Sequence, residues 1–374
     1  MNIAAIDMGN SRYDAIINGR EHNMPNALAV CETHPGYYDA SQQSFFDNMV
    51  VEVSSKAVKN LHGKYFVGIS ATEKENVSRT EKNNQKATSD RNTILFLSLL
   101  AFDAARLNLH KDSIDIQYDF VSTALPTSQV KQDRELLREK LVGYHTVTFY
   151  YVPGKEKPVT VNINIKNAMV GIEGAVVHVA LTRDPETLKI KDETLANETV
   201  IIGDLGGDSF DPAGIRDKKI VDGIEGYNFG VNSYLDAIIS AVANHTKFQF
   251  PSRYSLEKRL EKGPAHWQVV INQEDVDITQ YVEPQLRMMA EKLVTDFAEV
   301  RKHVALQEAK RYFLVGGAVK LAKKYVEEAN NNLPKPMKLT IPDNAEKLTS
   351  LGLWILVQAA AKKAAKEQAA ATKE

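Results

Sequence analysis

The sequence predicts an α/β protein built from two similar lobes. Its 374 residues exceed what one ordinary core needs and suit two domains that each bury an interior. A short pattern at the N-terminus returns near the middle of the chain, which indicates a duplicated unit. A third apolar stretch runs into Gly316 and Gly317 and is typical of a strand that turns into a helix.

The repeated pattern occupies residues 3–14 and again 200–211. Superimposing the copies pairs Asp7 with Asp204, Gly9 with Gly206, Tyr13 with Phe210 and Asp14 with Asp211. Each copy is an apolar run that ends in a carboxylate and a glycine, as expected of a buried strand entering a hairpin turn. Glycine lets backbone N–H groups approach an anion, and the carboxylate can hold a cation bound to that anion. One copy alone is common in ordinary hairpins, whereas the repetition predicts two hairpins facing a shared phosphate.

Between the copies, the composition predicts a small inserted subdomain followed by mixed α/β elements. Residues 25–86 alternate strand-like pieces with polar turns, and the polar stretch 73–90 is expected to be an exposed loop. Helical spacing predicts a packed helix over 92–109. The remaining elements expected here are strands at 119–125, 145–152 and 159–165 and helices at 132–141 and 168–181, the last carrying Glu173 in its first turn.

After the second copy, the periodicity predicts mainly helices and one further strand. The expected helices cover 232–244, 255–261, 277–303 and 351–364, and the strand covers 312–315. The lobes are therefore expected to comprise 1–172 with 346–374, and 173–345. Residues 362–374 are rich in Ala, Lys and Glu and would extend the last helix or fray in solvent.

Composition and charge exclude several classes of function. The formal net charge of −2 provides no overall field for nucleic acid, so no direct DNA binding is expected. A single cysteine, Cys31, excludes an intramolecular disulfide and fits a cytoplasmic location. The sequence contains no GxxxxGK[ST] phosphate loop and no apolar stretch of membrane-spanning length, so membrane insertion is not expected.

The ordered motifs Asp-x-Gly-Asn-Ser, Gly-Asp-Leu-Gly-Gly and Val-Gly-Gly-Ala resemble those of the actin, sugar-kinase and heat-shock-chaperone ATPase superfamily. The resemblance implies a two-lobed actin-like (ribonuclease H-like) fold with a central nucleotide cleft, in which both hairpins grip phosphates and the third turn lies against the adenosine. The length and simple layout look most like bacterial actins of the ParM-like, plasmid-segregating kind. Such a resemblance implies ATP hydrolysis, self-assembly into filaments, and an adaptor protein bound to plasmid centromere DNA.

The same resemblance assigns roles to residues of this chain. Asp7 and Asp204 would hold Mg²⁺, while Glu173 orients the attacking water and Asp204 holds the ion or polarises the water. Lys258, with Glu257, is a candidate for the nucleoside pocket, although ordinary surface charge on a helix explains either residue alone better. The full nucleotide-binding set is Gly9, Asn10, Ser11, Arg12, Gly206, Gly207, Asp208, Ser209, Lys258, Gly316, Gly317 and Ala318.

Two positions depart from the family pattern. Asp208 stands where relatives usually have a small hydroxyl residue, and a carboxylate near a phosphate is repulsive unless it points away or binds the cation. Arg12 stands where many relatives have a different polar or basic residue. These departures affect the predicted contacts with phosphate more than they affect the resemblance to the family.

Two other functions stay open at this point. A small-molecule kinase of the same fold would need a catalytic Asp in the first lobe aligned to a substrate hydroxyl, and the sequence offers no convincing one. A non-polymerising scaffold ATPase usually carries an amphipathic membrane-binding tail, which the C-terminal segment lacks. The sequence does not decide between ATP and GTP, and filament contacts are expected from loops of the 25–86 subdomain.

Overall fold

The computed structural model describes residues 1–32, 42–78 and 86–371. The chain divides into two compact units, Met1–Lys189 with Thr349–Glu374 and Ile190–Leu348. Each unit mixes strands and helices, so the predicted α/β class is confirmed.

The strands of the first unit, in chain order and within the described residues, are β1 (Ile3–Met8), β2 (Arg12–Ile17), β3 (Arg20–Pro25), β4 (Leu28–Val30), β5 (Met49–Ser55), β6 (Tyr65–Val67), β7 (Val77–Ser78), β8 (Ser113–Tyr118), β9 (Phe120–Leu125), β10 (Gly143–Tyr150), β11 (Val159–Ile165) and β12 (Ala168–Ile172). Its helices up to this point are α1 (Gln42–Asp47), α2 (Asp90–Arg106), α3 (Thr127–Leu141) and α4 (Glu173–Thr182).

In the second unit the strands are β13 (Val200–Leu205), β14 (Phe210–Arg216), β15 (Lys219–Ile220), β16 (Gln268–Ile271), β17 (Glu274–Asp277), β18 (Arg311–Val315) and β19 (Leu339–Thr340). Its helices are α5 (Glu193–Asn197), α6 (Val231–Thr246), α7 (Arg253–Leu260), α8 (Thr279–Val300) and α9 (Val319–Asn331). The chain then returns to the first unit through α10 (Leu348–Ala371).

Each unit contains a five-stranded sheet with the same order and strand directions. The order in the first unit is β12-β9-β1-β2-β3, and in the second it is β19-β18-β13-β14-β15. In both, the first three strands along the chain form an antiparallel meander, and the other two join in parallel. The duplication predicted from the repeated pattern is therefore confirmed at the level of the sheet.

The first unit also contains a seven-stranded sheet, which extends beyond the predicted inserted subdomain. Its order is β7-β4-β6-β5-β10-β11-β8. Strands β4 to β7 come from the expected 25–86 segment, whereas β8, β10 and β11 come from later in the chain. Because β5 pairs with β10 over six residues, the inserted strands continue a sheet that the rest of the unit begins.

The hairpins that carry the repeated pattern are anchored by equivalent aromatic residues. Tyr13 and Phe210 each follow the hairpin turn, and both side chains are fully buried, each in the core of its own unit. Burial of an aromatic side chain at this position contributes roughly 2–3 kcal/mol to the stability of each hairpin. Each acidic hairpin is thereby anchored in the core of its own unit.

Several predicted elements differ from those observed. The apolar run 168–172 is strand β12, paired in parallel with β9, and the helix begins only at Glu173. A short apolar run does not reveal by periodicity whether it is strand or helix, which explains the error. Strand β3 was not predicted, and residues 173–189 belong to the first unit, because α4 packs against β9 and β12.

The stretch 73–90 is not an exposed loop throughout. Residues 79–85 lie outside the described part of the chain, but Lys86 and Ala87 are buried. Asp90 begins α2 and is also buried. The polar composition of this stretch therefore did not reveal that Lys86, Ala87 and Asp90 are buried in the first unit.

Candidate functional site

In the first unit, Asp7 lies at the end of β1 directly opposite Asp14 of β2. The Nε atom of Arg12 donates to the Asp14 Oδ2 atom at 2.8 Å. Burial raises the pKa of Asp7 to about 7, the positive charge of Lys86 opposes this shift, and the negative charges of Glu173 and Asp14 add to it. The site thus contains a carboxylate whose ionised form is poorly solvated and which a bound cation would stabilise.

The turn between these strands, Gly9 to Ser11, is held in place by Asn26. The Nδ2 atom of Asn26 donates to the Gly9 carbonyl at 2.7 Å, and its backbone N–H donates to the Ser11 carbonyl at 2.9 Å. A Cβ atom at residue 9 would lie 2.5 Å from the Arg12 carbonyl oxygen. Glycine is therefore required here for the tight closure of the turn, independently of any ligand.

Glu173 occupies the first turn of α4, as the sequence predicted, and is only 6% exposed. Its Oε1 atom accepts a hydrogen bond from the Nζ atom of Lys86 at 2.6 Å. Lys86 is itself 8% exposed, so the two charges form a buried ion pair. The sequence interpretation missed Lys86, because it lies in a polar stretch that was assigned to solvent.

The second unit repeats the geometry of the first hairpin. Asp204 lies opposite Asp211 in the same register that joins Asp7 to Asp14. The Ser209 hydroxyl donates to the Asp211 Oδ2 atom at 2.6 Å. Ser209 thus makes the contact that Arg12 makes in the first unit, so both residues bind the aspartate two positions later.

Asp208 and Gly207 connect this second turn to helix α6. The Asp208 Oδ1 atom accepts a hydrogen bond from Asn232 Nδ2 at 3.0 Å, and the Gly207 carbonyl accepts one from the Asn232 backbone N–H at 2.8 Å. The N–H of Gly206 closes the turn by donating to the Ser209 carbonyl at 2.9 Å. The carboxylate of Asp208, which departs from the family pattern, therefore has a structural partner in the first turn of α6.

The third predicted motif, residues 316–318, meets the second hairpin within the same unit. Gly316 follows β18 with a φ of +103°, a conformation that favours glycine. The Ala318 N–H donates to the Leu205 carbonyl at 3.4 Å, and Ala318 is buried. Because β18 runs parallel to β13, the Gly316–Gly317 turn and Asp204 emerge at the same edge of the sheet.

Lys258 lies in α7, and its contacts are local. Its Nζ atom donates to Glu261 Oε2 at 2.7 Å and lies 5.4 Å from the centre of the Tyr254 ring. An ion pair between residues three apart on one helix is common on protein surfaces. This geometry is the one that the surface-charge interpretation of Lys258 predicts, and a role in nucleoside binding stays a prediction.

The acidic residues fit a magnesium ion in their chemistry. Within the described ranges, no group of three or more His, Cys, Asp or Glu side chains forms a ready-made metal cluster. Magnesium is usually held by only one or two carboxylates together with phosphate oxygens and water. Asp7, with its raised pKa, is a carboxylate of the kind that such an ion would stabilise.

Two sheets of the same topology, each with an aspartate at the end of its first strand, define a protein of the actin-like class, with a duplicated ribonuclease H-like fold. Residues 5–175 match the family described as the N-terminal domain of actin-like proteins. Residues 199–336 match the C-terminal domain of Alp7A. The chain therefore belongs to the actin-like protein family.

Solved structures support the same fold. The crystal structure of the actin-like protein Alp7A superimposes with a TM-score of 0.78 at 18% identity, covering 98% of this chain and 99% of Alp7A. ParM of Bacillus thuringiensis with ADP gives a TM-score of 0.71 at 18% identity, covering 96% of this chain and 98% of ParM. The archaeal actin homologue Ta0583 gives 0.66 at 18% identity, covering 96% and 99%.

Comparison of the sequence with curated proteins finds no match. Among the described residues, no helix combines the length and apolar character that crossing a bilayer requires.

Proposed function

We propose that this chain is a nucleotide-dependent, filament-forming ATPase that segregates plasmid DNA through an adaptor protein. The observation that carries the proposal is the repeated carboxylate pair, Asp7 with Asp14 and Asp204 with Asp211, in the same register of two equivalent sheets. ParM structures of the same fold hold ADP or ATP. Filament assembly and plasmid segregation follow from the resemblance to ParM-like proteins, with adaptor-bound centromere DNA as the cargo.

Phosphoanhydride hydrolysis requires charge neutralisation and a correctly oriented water molecule. In this proposal Asp7 and Asp204 are the carboxylates that would hold Mg²⁺, and the ion would neutralise negative charge on the phosphate oxygens. The turn residues 9–12 and 206–209 bind the phosphates. Glu173 orients the attacking water, and Asp204 also polarises it.

The nucleoside would be bound by the third motif. Gly316 and Gly317 present a turn without side chains, against which a flat ring can lie, and Ala318 adds only a methyl group. Lys258 is proposed to contribute a positive charge to the nucleoside pocket. ATP is the expected substrate, and GTP is tested beside it.

The proposal is tested by mixing purified protein at micromolar concentration with Mg-ATP, Mg-GTP or Mg-ADP. Light scattering, sedimentation and negative-stain electron microscopy report assembly, and phosphate release reports hydrolysis. We expect filaments and phosphate release with the triphosphate. Protein that stays monomeric at high concentration with both triphosphates would refute filament formation, and phosphate transfer to a metabolite would identify a kinase.

Two variants test whether hydrolysis depends on a carboxylate of the proposed site or on any surface carboxylate. Asp204→Ala removes the carboxylate of the second hairpin and should abolish hydrolysis. Asp217→Ala removes an exposed carboxylate in the β14–β15 turn of the same sheet and should leave hydrolysis unchanged. If Asp204→Ala hydrolyses ATP at the wild-type rate, the proposed site is wrong.

The adaptor is tested with filaments assembled on a non-hydrolysable ATP analogue. We expect these filaments to sediment with an adaptor–centromere complex and not with bare centromere DNA, because the formal net charge of the chain is −2. Sedimentation of bare DNA at physiological salt would show that no adaptor is needed.

A further inference from the structure

The buried ion pair between Lys86 and Glu173 was not predicted from the sequence, which assigned a role to Glu173 but none to Lys86. Lys86 precedes helix α2, whereas Glu173 begins α4, so the contact joins segments 87 residues apart in the chain. The side chains of both residues are less than 10% exposed. A lysine can usually extend its ammonium into water, so its burial against one carboxylate needs an explanation.

The backbone of Lys86 is fixed on both sides. Its N–H donates to Gln129 Oε1 of α3 at 3.1 Å, and its carbonyl accepts from Asn92 Nδ2 of α2 at 3.4 Å. The Lys86 ammonium thus reaches Glu173 from a main chain that is held on both sides. Because the backbone is already fixed, only the side-chain torsions of Lys86 remain to be ordered when its ammonium meets Glu173.

Stability alone explains the pair poorly. Replacing a buried ion pair by apolar side chains of similar volume is often neutral or stabilising, since desolvation of the two charges offsets their attraction. The pair also lies close enough to the first hairpin for both charges to act on Asp7. Lys86 therefore belongs to the same electrostatic cluster as the two acidic residues of the proposed site in the first unit.

We infer that Lys86 is a positioning residue for Glu173: its ammonium holds the Glu173 carboxylate in the orientation that directs the attacking water. The inference rests on the proposed function, because it assigns Lys86 a task in nucleotide hydrolysis. Lys86 acts through Glu173, so its removal should lower the turnover number and leave nucleotide affinity almost unchanged.

The test measures phosphate release and ATP binding for Lys86→Met, Lys86→Arg, Glu173→Gln and the double variant Lys86→Met/Glu173→Gln. Lys140→Met is the matched control, because Lys140 is comparably buried in the same unit and pairs with Asp90 at 3.7 Å. We expect Lys86→Met to lower kcat by about 10- to 100-fold, the range that misplacement of a reacting group produces. KM should change by less than about threefold, since ground-state binding is retained.

Further outcomes distinguish positioning from a structural role. Lys86→Arg should restore part of kcat, Lys140→Met should match the wild type, and the double variant should be no slower than Glu173→Gln alone. Wild-type kcat in Lys86→Met, or additive losses in the double variant, would overturn the inference while leaving the proposed function intact. If the wild-type protein itself neither binds nor hydrolyses nucleotide, the proposed function fails, and the inference fails with it. Should Lys86→Met not fold, Lys86→Gln replaces it with the same expected and opposing results.

Discussion

Asp204 and Gly316 lie so close together that a Cβ atom at residue 316 would come within 2.3 Å of the Asp204 Oδ1 atom. The two residues stand at the ends of the adjacent parallel strands β13 and β18. The absence of a side chain at residue 316 therefore determines where the carboxylate of the second hairpin can point. The glycine at residue 316 is thus required both for the position of the Asp204 carboxylate and for the turn in which it lies.

Gly316→Ala should displace Asp204 and reduce ATP hydrolysis by at least about tenfold, because a small misplacement of a catalytic group is costly. The matched control is Gly263→Ala in the same unit, which also has a positive φ, +89°, but has no atom within 4 Å of the added Cβ. Both variants should lose about 1 kcal/mol of stability from backbone strain. Gly316→Ala should lose more, because its Cβ would also lie 2.4 Å from the Leu205 carbonyl oxygen. Equal hydrolysis by the two variants would show that the contact with Asp204 is unimportant.

Asp7→Asn should stabilise the nucleotide-free protein at alkaline pH. The pKa of Asp7 in the folded state is about 7, against an ordinary value of 3.8, chiefly because of burial. Since the folded-state pKa lies above the unfolded one, this residue favours the fold fully below 3.8 and loses that contribution as pH rises through 7. At pH 8 the gain for Asp7→Asn should be about 1–3 kcal/mol by thermal unfolding.

The gain should shrink as the pH is lowered from 8 to 5, because Asp7 in the wild-type protein then takes up its proton. The same variant should lose the additional thermal stability that Mg-ATP confers on the wild type. Asp217→Asn, at an exposed carboxylate in the β14–β15 turn, is the control. A nucleotide-free Asp7→Asn protein that is less stable than the wild type at pH 8 would contradict the raised pKa.

Asp208→Asn should bind ATP more tightly than the wild-type protein. The variant keeps an oxygen that can accept the hydrogen bond from Asn232, so the turn is retained. Removing one negative charge near bound phosphates should lower the Kd by about two- to fivefold, corresponding to roughly 1 kcal/mol or less at this partly exposed position. Isothermal titration at low salt measures the change, and Asp217→Asn controls for overall charge. Weaker binding would indicate that Asp208 itself assists the cation.

His145→Gln should make stability less sensitive to acid. His145 is buried, its Nδ1 atom lies 2.7 Å from the Ser55 hydroxyl oxygen, and its Nε2 atom donates to the Leu141 carbonyl at 2.8 Å. Burial lowers the pKa of His145 below its ordinary value of 6.5. The unfolded chain therefore takes up this proton first, and the wild-type protein loses stability as pH falls below 6.5.

The difference in thermal stability between wild type and His145→Gln should narrow as pH falls from 7.5 to 5, because protonation of the buried histidine disfavours only the wild-type fold. His110→Gln, a change at an exposed histidine of the same unit, is the matched control. Parallel pH profiles for His145→Gln and the wild type would rule out this source of acid sensitivity.

The sequence predicted both hairpins and the equivalence of Asp7 with Asp204 and of Tyr13 with Phe210. These features are local, because an apolar run followed by a carboxylate and a glycine determines a strand and its turn within a dozen residues. The order of the motifs also predicted the duplicated sheets. The roles assigned to the hairpin residues and to Lys258 stay predictions.

Predictions from the local sequence pattern were wrong or incomplete where packing between distant segments determines the structure. Residues 168–172 are a strand because β9 offers them a parallel partner, and no property of the five residues alone distinguishes that from a helix. Asn26 was overlooked because its hydrogen bonds to the first turn depend on how β3 returns along β2.

The amino-acid sequence by itself determined that this protein has two acidic hairpins on two similar α/β units, because strand and turn formation depend on near neighbours. Only the tertiary structure decided that Lys86 is buried against Glu173 and that Gly316 leaves room for Asp204. Those contacts join residues more than 80 positions apart. They exist because the cores bring distant segments together, which residue spacing along the chain does not encode.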